Sequence, residues 1–425
     1  MNQALYRRYR PEKFSEVIGQ EHVTEPLMQA LRTGRVSHAY LFSGPRGCGK
    51  TTSARILARC LNCEQGPTPE PCGECDSCRE LGRGGPGSLD VVEIDAASHG
   101  GVDDTRELRE KAAFAPARDR FKVFILDEAH MVSREGFNAL LKIVEEPPAH
   151  IKFIFATTEP GKVLPTIRSR SHHYPFRLVP PGLMTTYMEQ LCEAEDIAVD
   201  DGVLPLVVRA GGGSVRDTES VLDQLMGGSV DGRITYQGAV ALLGFTPDSL
   251  LDRMVDALAA GDGATGFEVV ESVVESGLEP YRFAEDLLER LRDLIVIAAA
   301  GDAAGGALRD VPKDTLEVEK RQAGTLGLVR LNAVANAVNT GLAAMSGATS
   351  PRLQLELLLA KALLEGTAAV PGAGAGPATA AAPAGTPSAP APGAQAPAPA
   401  RAAPPQDDPE AAPPPAGPPD PAAPP

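Results

Sequence analysis

The 425-residue sequence has no apolar run approaching the ~20 residues that a membrane-spanning helix requires, and no apolar stretch of signal-peptide type near Met1. A soluble, cytoplasmic protein with no membrane partner is expected. Positive charge is short as well: 40 Lys and Arg stand against 56 Asp and Glu, a formal net charge of −16. The chain is no polycation, so any contact with nucleic acid must come from a local basic surface or through partners. Aromatic residues are few, at 4%, and residues 243–368 hold no basic-aromatic stripe of the kind that stacks single strands. The length allows two or three domains with cores of their own.

Composition changes abruptly near Ala369. Residues 369–425 hold 19 of the 39 prolines, mostly among Ala and Gly, and carry a charge of −3, which leaves −13 on the rest. Such a stretch cannot bury enough apolar area to offset its conformational entropy, so a disordered, partly polyproline-II tether is expected. A tether that stops at Pro425 also predicts that a further portion lies beyond it.

What is present begins with Gly44-Pro-Arg-Gly-Cys-Gly-Lys-Thr51, which fits G-x-x-x-x-G-K-[ST]. The apolar segment Ala39–Phe42 before it reads as a buried strand, and Thr52–Arg59 after it, free of Gly and Pro, reads as helix. That context separates a phosphate-binding loop from a chance glycine-rich turn. Gly44, Gly47 and Gly49 let the backbone curl, with Pro45, Arg46, Cys48 and Thr52 completing the cradle. Lys50 is expected to reach the β- and γ-phosphates, and the Thr51 hydroxyl to ligate Mg²⁺.

A second apolar strand, Lys122–Leu126, runs into Asp127-Glu-Ala-His130. Asp127 is placed to hold Mg²⁺ and Glu128 to orient or deprotonate an attacking water. Ser133–Val144 has helical spacing, with Ser133 as cap and Pro147-Pro148 as stop. A third strand, 152–158, ends in Thr157 and Thr158, either of which is placed to sense a γ-phosphate. Arg168 and Arg170 read, from residues alone, as surface charges. Strands near 39–42, 90–94, 122–126 and 152–156, separated by helices, predict an α/β fold with a mostly parallel sheet.

Five of the seven cysteines lie between 60 and 78. The spacing of Cys72, Cys75 and Cys78 suits tetrahedral thiolate ligation of Zn²⁺, and a disulfide framework does not fit a cytosolic setting. Cys63, Cys72, Cys75 and Cys78 form the better set of four, since Cys60 ends the phosphate-loop helix where a small thiol packs well. Four sulfurs leave no open position, so a structural metal is expected. Beyond residue 178 the sequence reads as helices: Met184–Ala194, Gly202–Ala210 and Val215–Met226 in a small bundle, then amphipathic helices throughout 243–368. An oligomer interface suits the latter better than a purely intramolecular bundle.

Tyr6-Arg-Arg-Tyr-Arg-Pro11 with Phe14 and Val17-Ile-Gly-Gln20, then GPRGCGKT, DEAH, ATT, SRS and Gly213-Ser-Val-Arg-Asp217, resemble the AAA+ clamp-loader ATPases in motif order across residues 1–368. The cysteine insert narrows the resemblance to the gamma/tau-type subunits of bacterial DNA polymerase III. The resemblance implies an AAA+ P-loop NTPase domain over 1–178 with a zinc module at 60–80. A helical lid domain over 179–242, an all-α collar domain over 243–368 that holds a pentamer, and the disordered Pro/Ala-rich tail follow. It implies ATP as substrate, with Tyr6–Gln20 near the adenine, Thr157 or Thr158 as first sensor and Arg216 as second sensor. Arg170 becomes an arginine finger reaching a neighbouring subunit's γ-phosphate; Ser169-Arg-Ser171 departs from the usual Ser-Arg-Cys, but the arginine is retained. The implied partners are other clamp-loader subunits, a sliding clamp, primer–template DNA, and a replicative polymerase or helicase engaged beyond Pro425.

The expected activity is ATP hydrolysis, stimulated by DNA and clamp, that opens a sliding clamp and loads it on primed DNA during replication. No paired metal-binding carboxylates of a nucleotidyl transferase are identifiable, so polymerase chemistry would belong to the holoenzyme. A branch-migration or helicase-type motor is the alternative, against which stands the absence after Ser171 of anything but helices. A scaffold with a vestigial site is a third reading, opposed by the intact Lys50, Thr51, Asp127 and Glu128.

Overall fold

The computed structural model describes residues 3–98, 101–229, 231–301, 313–345 and 350–368; the Pro/Ala-rich tail lies outside the described residues. The N-terminal helix α1 (Leu5–Arg8), a 3₁₀ turn at Phe14–Glu16 and α2 (Glu21–Arg32) lead into β1 (Ala39–Ser43). The following elements are α3 (Lys50–Asn62), α4 (Asp76–Glu80), β2 (Val91–Asp95), α5 (Val102–Ala112), β3 (Lys122–Asp127), α6 (Arg134–Glu145), β4 (Ile151–Thr157), α7 (Pro165–Arg170) and β5 (His172–Pro175).

The five strands form one sheet in the order β2-β3-β4-β1-β5, with every pairing parallel. β1 and β4 are buried along their whole length, which is why they read as near-continuous apolar runs: both faces of a parallel sheet are covered. Alternate residues feed two cores. Tyr40, Phe42, Val123, Ile125 and Ile154 pack with α2 and α3, including Leu27 and Leu57. Leu41, Phe124, Phe153 and Phe155 pack on the other face with Leu108 of α5, Phe137 and Leu140 of α6 and Ile167 of α7. The register places Ser43 opposite Thr157 and Asp95 opposite Asp127, so polar strand ends collect along one edge of the sheet. Ligands bind at that carboxyl edge in open α/β sheets.

After α7 the expectation of helices alone needs correction. His172–Pro175 forms a fifth strand beside β1, and two short strands, β6 (Ala198–Val199) and β7 (Arg233–Ile234), pair with each other. β5 carries little apolar signal because it is an edge strand, held by backbone pairing and by a 2.6 Å contact between His173 Nε2 and Ser43 Oγ.

The helices α8 (Pro181–Ala194), α9 (Val203–Gly211), α10 (Val215–Gly227) and α11 (Tyr236–Leu243) enclose a separate core of Met184, Met188, Val203, Val207 and Leu222. Leu5 of α1 is buried in this core, whereas Phe14 and Val17 pack in the core beside α2 and α3, so the N-terminal segment joins the two. Last come α12 (Asp248–Ala260), α13 (Gly263–Glu275), α14 (Pro280–Ala300), α15 (Lys313–Met345), broken at Gly327, and α16 (Pro351–Ala368). They share a fourth core, and Arg290 of α14, 5% exposed, joins Asp248, Asp252 and Glu319 inside it. Among the described residues no helix is long and apolar enough to cross a membrane.

Candidate nucleotide site and cysteine cluster

The loop between β1 and α3 curls because its glycines occupy backbone space that L side chains avoid. Gly47 has φ +73° and Gly49, the residue before α3, has φ +99°. Gly47 is also required by its neighbour: a Cβ there would fall 1.9 Å from the Ser214 Oγ at the start of α10. The phosphate loop and the helix bearing Arg216 therefore touch directly, and the Arg216 N–H donates to the Gly47 carbonyl at 3.4 Å.

Lys50 is buried, and its Nζ donates to the carbonyls of Gly44 (2.8 Å) and Pro45 (2.7 Å), so the ammonium lies folded along the loop it follows. Cys48 is buried beside it and donates to the same Pro45 carbonyl at 2.8 Å, while burial pushes its thiol pKa up. The Thr51 hydroxyl donates to Asp127 Oδ2 at 2.7 Å. Burial raises the Asp127 carboxyl above its ordinary range, opposed by that hydroxyl and by the Glu128 N–H, which donates to Asp127 Oδ1 at 3.0 Å. This hydroxyl–carboxylate pair is a hard-oxygen donor set of the kind Mg²⁺ takes.

Glu128 adopts a left-handed backbone (φ 45°, ψ 46°), a conformation costing a non-glycine residue on the order of 1–3 kcal/mol and concentrated at functional sites. Its Oε2 accepts from the Thr158 hydroxyl at 3.2 Å and lies 3.3 Å from His130 Nδ1. Thr157 is fully buried; its Oγ1 lies 3.1 Å from His130 Nδ1 and accepts the Glu159 N–H at 3.0 Å. Of the two hydroxyls, Thr158 touches the acidic pair.

Cys48, Lys50, Thr51, Asp127 and Glu128 face a cleft of about 760 Å³ that also gathers Arg10, Arg46, Arg55 and Arg216. Its local charge is thus opposite to the chain's net −16. Thr52 lines the cleft, its Oγ1 accepting from Arg10 Nε at 3.1 Å, and the Arg216 guanidinium lies 5.0 Å from the centroid of the Tyr6 ring. Arg170 is not among the lining residues. It ends α7 at the surface, where its Nη2 lies 3.1 Å from Glu145 Oε1. Four contributors were not singled out from the sequence. Arg10 and His130 sit inside motifs that were read as units, whereas Tyr187 and Glu219 come from separate helices and meet only on folding, at 2.8 Å from Oη to Oε1.

Beyond α3 the chain doubles back and brings Cys63, Cys72, Cys75 and Cys78 together, with all four Sγ atoms within 4.8 Å of one another. Cys72 and Cys78 are 3.9 Å apart, close to the ~3.8 Å edge of a tetrahedron with ~2.3 Å Zn–S bonds. Backbone N–H groups of Cys72 and Cys75 donate to the sulfurs of Cys63 and Cys72, each at 3.4 Å. Bonds from the Cys75 and Glu74 N–H groups lower the Cys72 thiol to about 6, favouring the thiolate a metal needs. Cys60 stands outside the set, fully buried, with its thiol pushed up by burial.

Comparison with known proteins follows the same lines. Residues 19–180 match the family described as DNA polymerase III, delta subunit, and residues 234–372 match DNA polymerase III subunits gamma and tau domain III. The chain is 62% identical over 361 residues to DNA polymerase III subunit gamma/tau of Mycobacterium tuberculosis, covering 85% of this chain and 62% of that protein. It is 36% identical over 298 residues to DNA polymerase III subunit gamma of Buchnera aphidicola, covering 70% of this chain and 81% of that one. The chain belongs to the DNA polymerase III gamma/tau family. Escherichia coli DNA polymerase III subunit tau, a longer member, is 42% identical over 303 residues, of which the chain spans 47% of the length. The chain thus spans 62% of the length of its mycobacterial gamma/tau relatives. A solved Thermotoga maritima RuvB Holliday junction branch migration motor aligns at 18% identity and TM-score 0.44, over 73% of this chain and 90% of its own, too distant to argue from.

Proposed function

We propose that this gamma/tau-family chain is the ATP-hydrolysing motor subunit of a clamp loader. The observation that carries this reading is the Thr51–Asp127 contact of 2.7 Å, at the end of a basic cleft whose other walls bear Lys50, Glu128 and Arg216. Thr51 and Asp127 would hold Mg²⁺, which would supply positive charge to offset that of the phosphates. Lys50 leaves its two carbonyl partners for the β- and γ-phosphates, and the loop N–H groups cradle the same oxygens. Glu128 accepts a proton from the attacking water, with Thr158 holding its carboxylate at 3.2 Å. Arg216, stacked on Tyr6, is suited to close the helical lid region on nucleotide in its own subunit.

Arg170 lies outside its own cleft and at the surface, which supports its service to a neighbouring subunit. A finger supplied in trans contributes about 10³–10⁵ in rate by neutralising charge on the transferred phosphoryl group, so turnover requires a ring. In this reading residues 1–178 form the ATPase domain, 179–242 the lid and 243–368 the collar that assembles the ring. The partners are companion loader subunits, a sliding clamp and primer–template DNA recognised by duplex shape. Cys63, Cys72, Cys75 and Cys78 hold a structural zinc.

The test is ATP turnover by the chain with and without companion subunits, clamp and primed DNA, using wild type and Arg170→Ala. The variant should bind ATP as wild type does and lose DNA-stimulated turnover by at least a hundredfold in the assembled ring. Normal turnover in the ring would remove Arg170 from the site. Strand displacement by the isolated chain would favour a helicase-type motor instead.

A further inference from the structure

We infer that Arg83, on the loop following the cysteine cluster, is a positioning residue for the nucleotide. It pins the N-terminal strap over the cleft and couples the cysteine module to nucleotide affinity. The inference rests on the ATP-binding reading above and adds a role for the module.

Between α1 and α2 the strap has little regular structure of its own, only the 3₁₀ turn at Phe14–Glu16, so its backbone carbonyls need partners from elsewhere. Arg83 supplies them. Its Nη1 donates to the Arg8 carbonyl and its Nε to the Arg10 carbonyl, both at 2.8 Å, and its backbone N–H donates to Glu12 Oε1 at 2.7 Å. A rigid planar fork can hold two carbonyls in fixed relation, which a flexible ammonium cannot. Arg59 of α3 adds a bond to the Glu12 carbonyl at 3.3 Å.

The pinned strap reaches the cleft on both sides. Arg10 bonds Thr52, the residue after the proposed Mg²⁺ ligand, and Tyr6 lies under the Arg216 guanidinium. Holding residues 8–12 therefore sets both the phosphate-loop end and the lid end of the site. The loop that carries Arg83 is Gly82-Arg83-Gly84-Gly85, with Gly84 at φ +70°, and has little stiffness of its own. Its root is fixed by Cys78 in the cluster and by Glu80, whose carboxylate takes both terminal nitrogens of Arg118 at 2.8 and 2.7 Å. Loss of metal frees one of these two anchors.

The experiment is titration of the full chain with a fluorescent methylanthraniloyl-ATP in Mg²⁺ buffer, alongside zinc content, melting temperature and amide exchange of residues 5–12. Arg83→Ala should keep its zinc, bind the nucleotide about tenfold more weakly and exchange faster across the strap. In the assembled ring its kcat at saturating ATP should stay within twofold of wild type, a split that general loss of structure would not produce. Arg83→Lys should fall between the two, and it carries the same test if the alanine variant is too unstable to titrate. By reciprocity, saturating ATP should raise the apparent zinc affinity, measured by equilibrium competition with a chelator, by the factor that metal removal costs in ATP affinity. Affinities of both variants within twofold of wild type, with unchanged strap exchange, would overturn the inference. Failure of wild type itself to bind the probe would overturn the ATP-binding reading beneath it, so the two failures are distinguishable.

Discussion

Gly47→Ala tests the direct contact between the phosphate loop and the helix that presents Arg216. At φ +73° an alanine meets a left-handed penalty of about 1–2 kcal/mol. Its Cβ would also fall 1.9 Å from Ser214 Oγ, 3.1 Å from Ser214 Cβ and 3.4 Å from Arg216 Cβ, against ordinary separations of about 3.5 Å. Ser214 must retreat by more than an ångström, yet its Oγ caps α10 by accepting the Asp217 N–H at 3.2 Å. Loss of that cap adds about 1 kcal/mol. The total of about 2–3 kcal/mol corresponds to a fall in melting temperature of roughly 5–10 °C. Because the displaced helix start carries Arg216, ATP affinity should drop at least tenfold in a fluorescent-nucleotide titration. Ser214→Gly removes the obstructing Oγ and Cβ, and glycine at a helix cap costs only a few tenths of a kcal/mol. The double variant should therefore recover most of the lost affinity, leaving only the backbone penalty, with a coupling of about 1 kcal/mol or more in the cycle. Wild-type melting and affinity in Gly47→Ala, or additive losses in the double variant, would refute the reasoning.

Replacing Cys72 and Cys75 by serine should remove one equivalent of zinc from freshly purified, reduced protein and lower the melting temperature, while the Mg²⁺ dependence of turnover stays unchanged; metal analysis finding no zinc in wild type would reject the site. Glu219 offers a pH signature. Burial raises its carboxyl to about 7, opposed by the Tyr187 hydroxyl, against an unfolded value near 4.5. A raised carboxyl binds its proton more tightly in the folded state, so its ionisation costs nothing below pH ~4.5, costs more as pH rises to ~7, and stays constant above. Glu219→Gln should thus gain stability over wild type above pH 7, on the order of 3 kcal/mol, and the gain should vanish near pH 4.5 in chemical denaturation; a gain independent of pH would show that Glu219 titrates normally.

Local structure was legible wherever it is written in consecutive residues. The phosphate loop needs strand, glycines, lysine and hydroxyl in fixed succession, and Asp127-Glu128 follows a strand whose burial on both faces makes it apolar throughout. The Ser133 cap was readable for the same reason, its hydroxyl accepting the Gly136 N–H three residues on. β5 was not readable, because an edge strand with one covered side is held by backbone bonds that leave no apolar pattern. The Tyr187–Glu219 pair was equally silent, since each residue alone resembles a surface position on an amphipathic helix.

The amino-acid order alone determined that this chain carries a glycine-rich loop between strand and helix, an acidic strand end and a four-cysteine cluster. Their chemistry depends on neighbours within a few residues, whose geometry local backbone rules dictate. Which of Thr157 and Thr158 touches Glu128, that Arg170 lies outside its own cleft, and that Arg83 and Ser214 bear on the cleft from distant segments were decided only by the tertiary structure. Those relations join residues dozens to well over a hundred positions apart, and only the packing of the cores in space brings such positions within bonding distance.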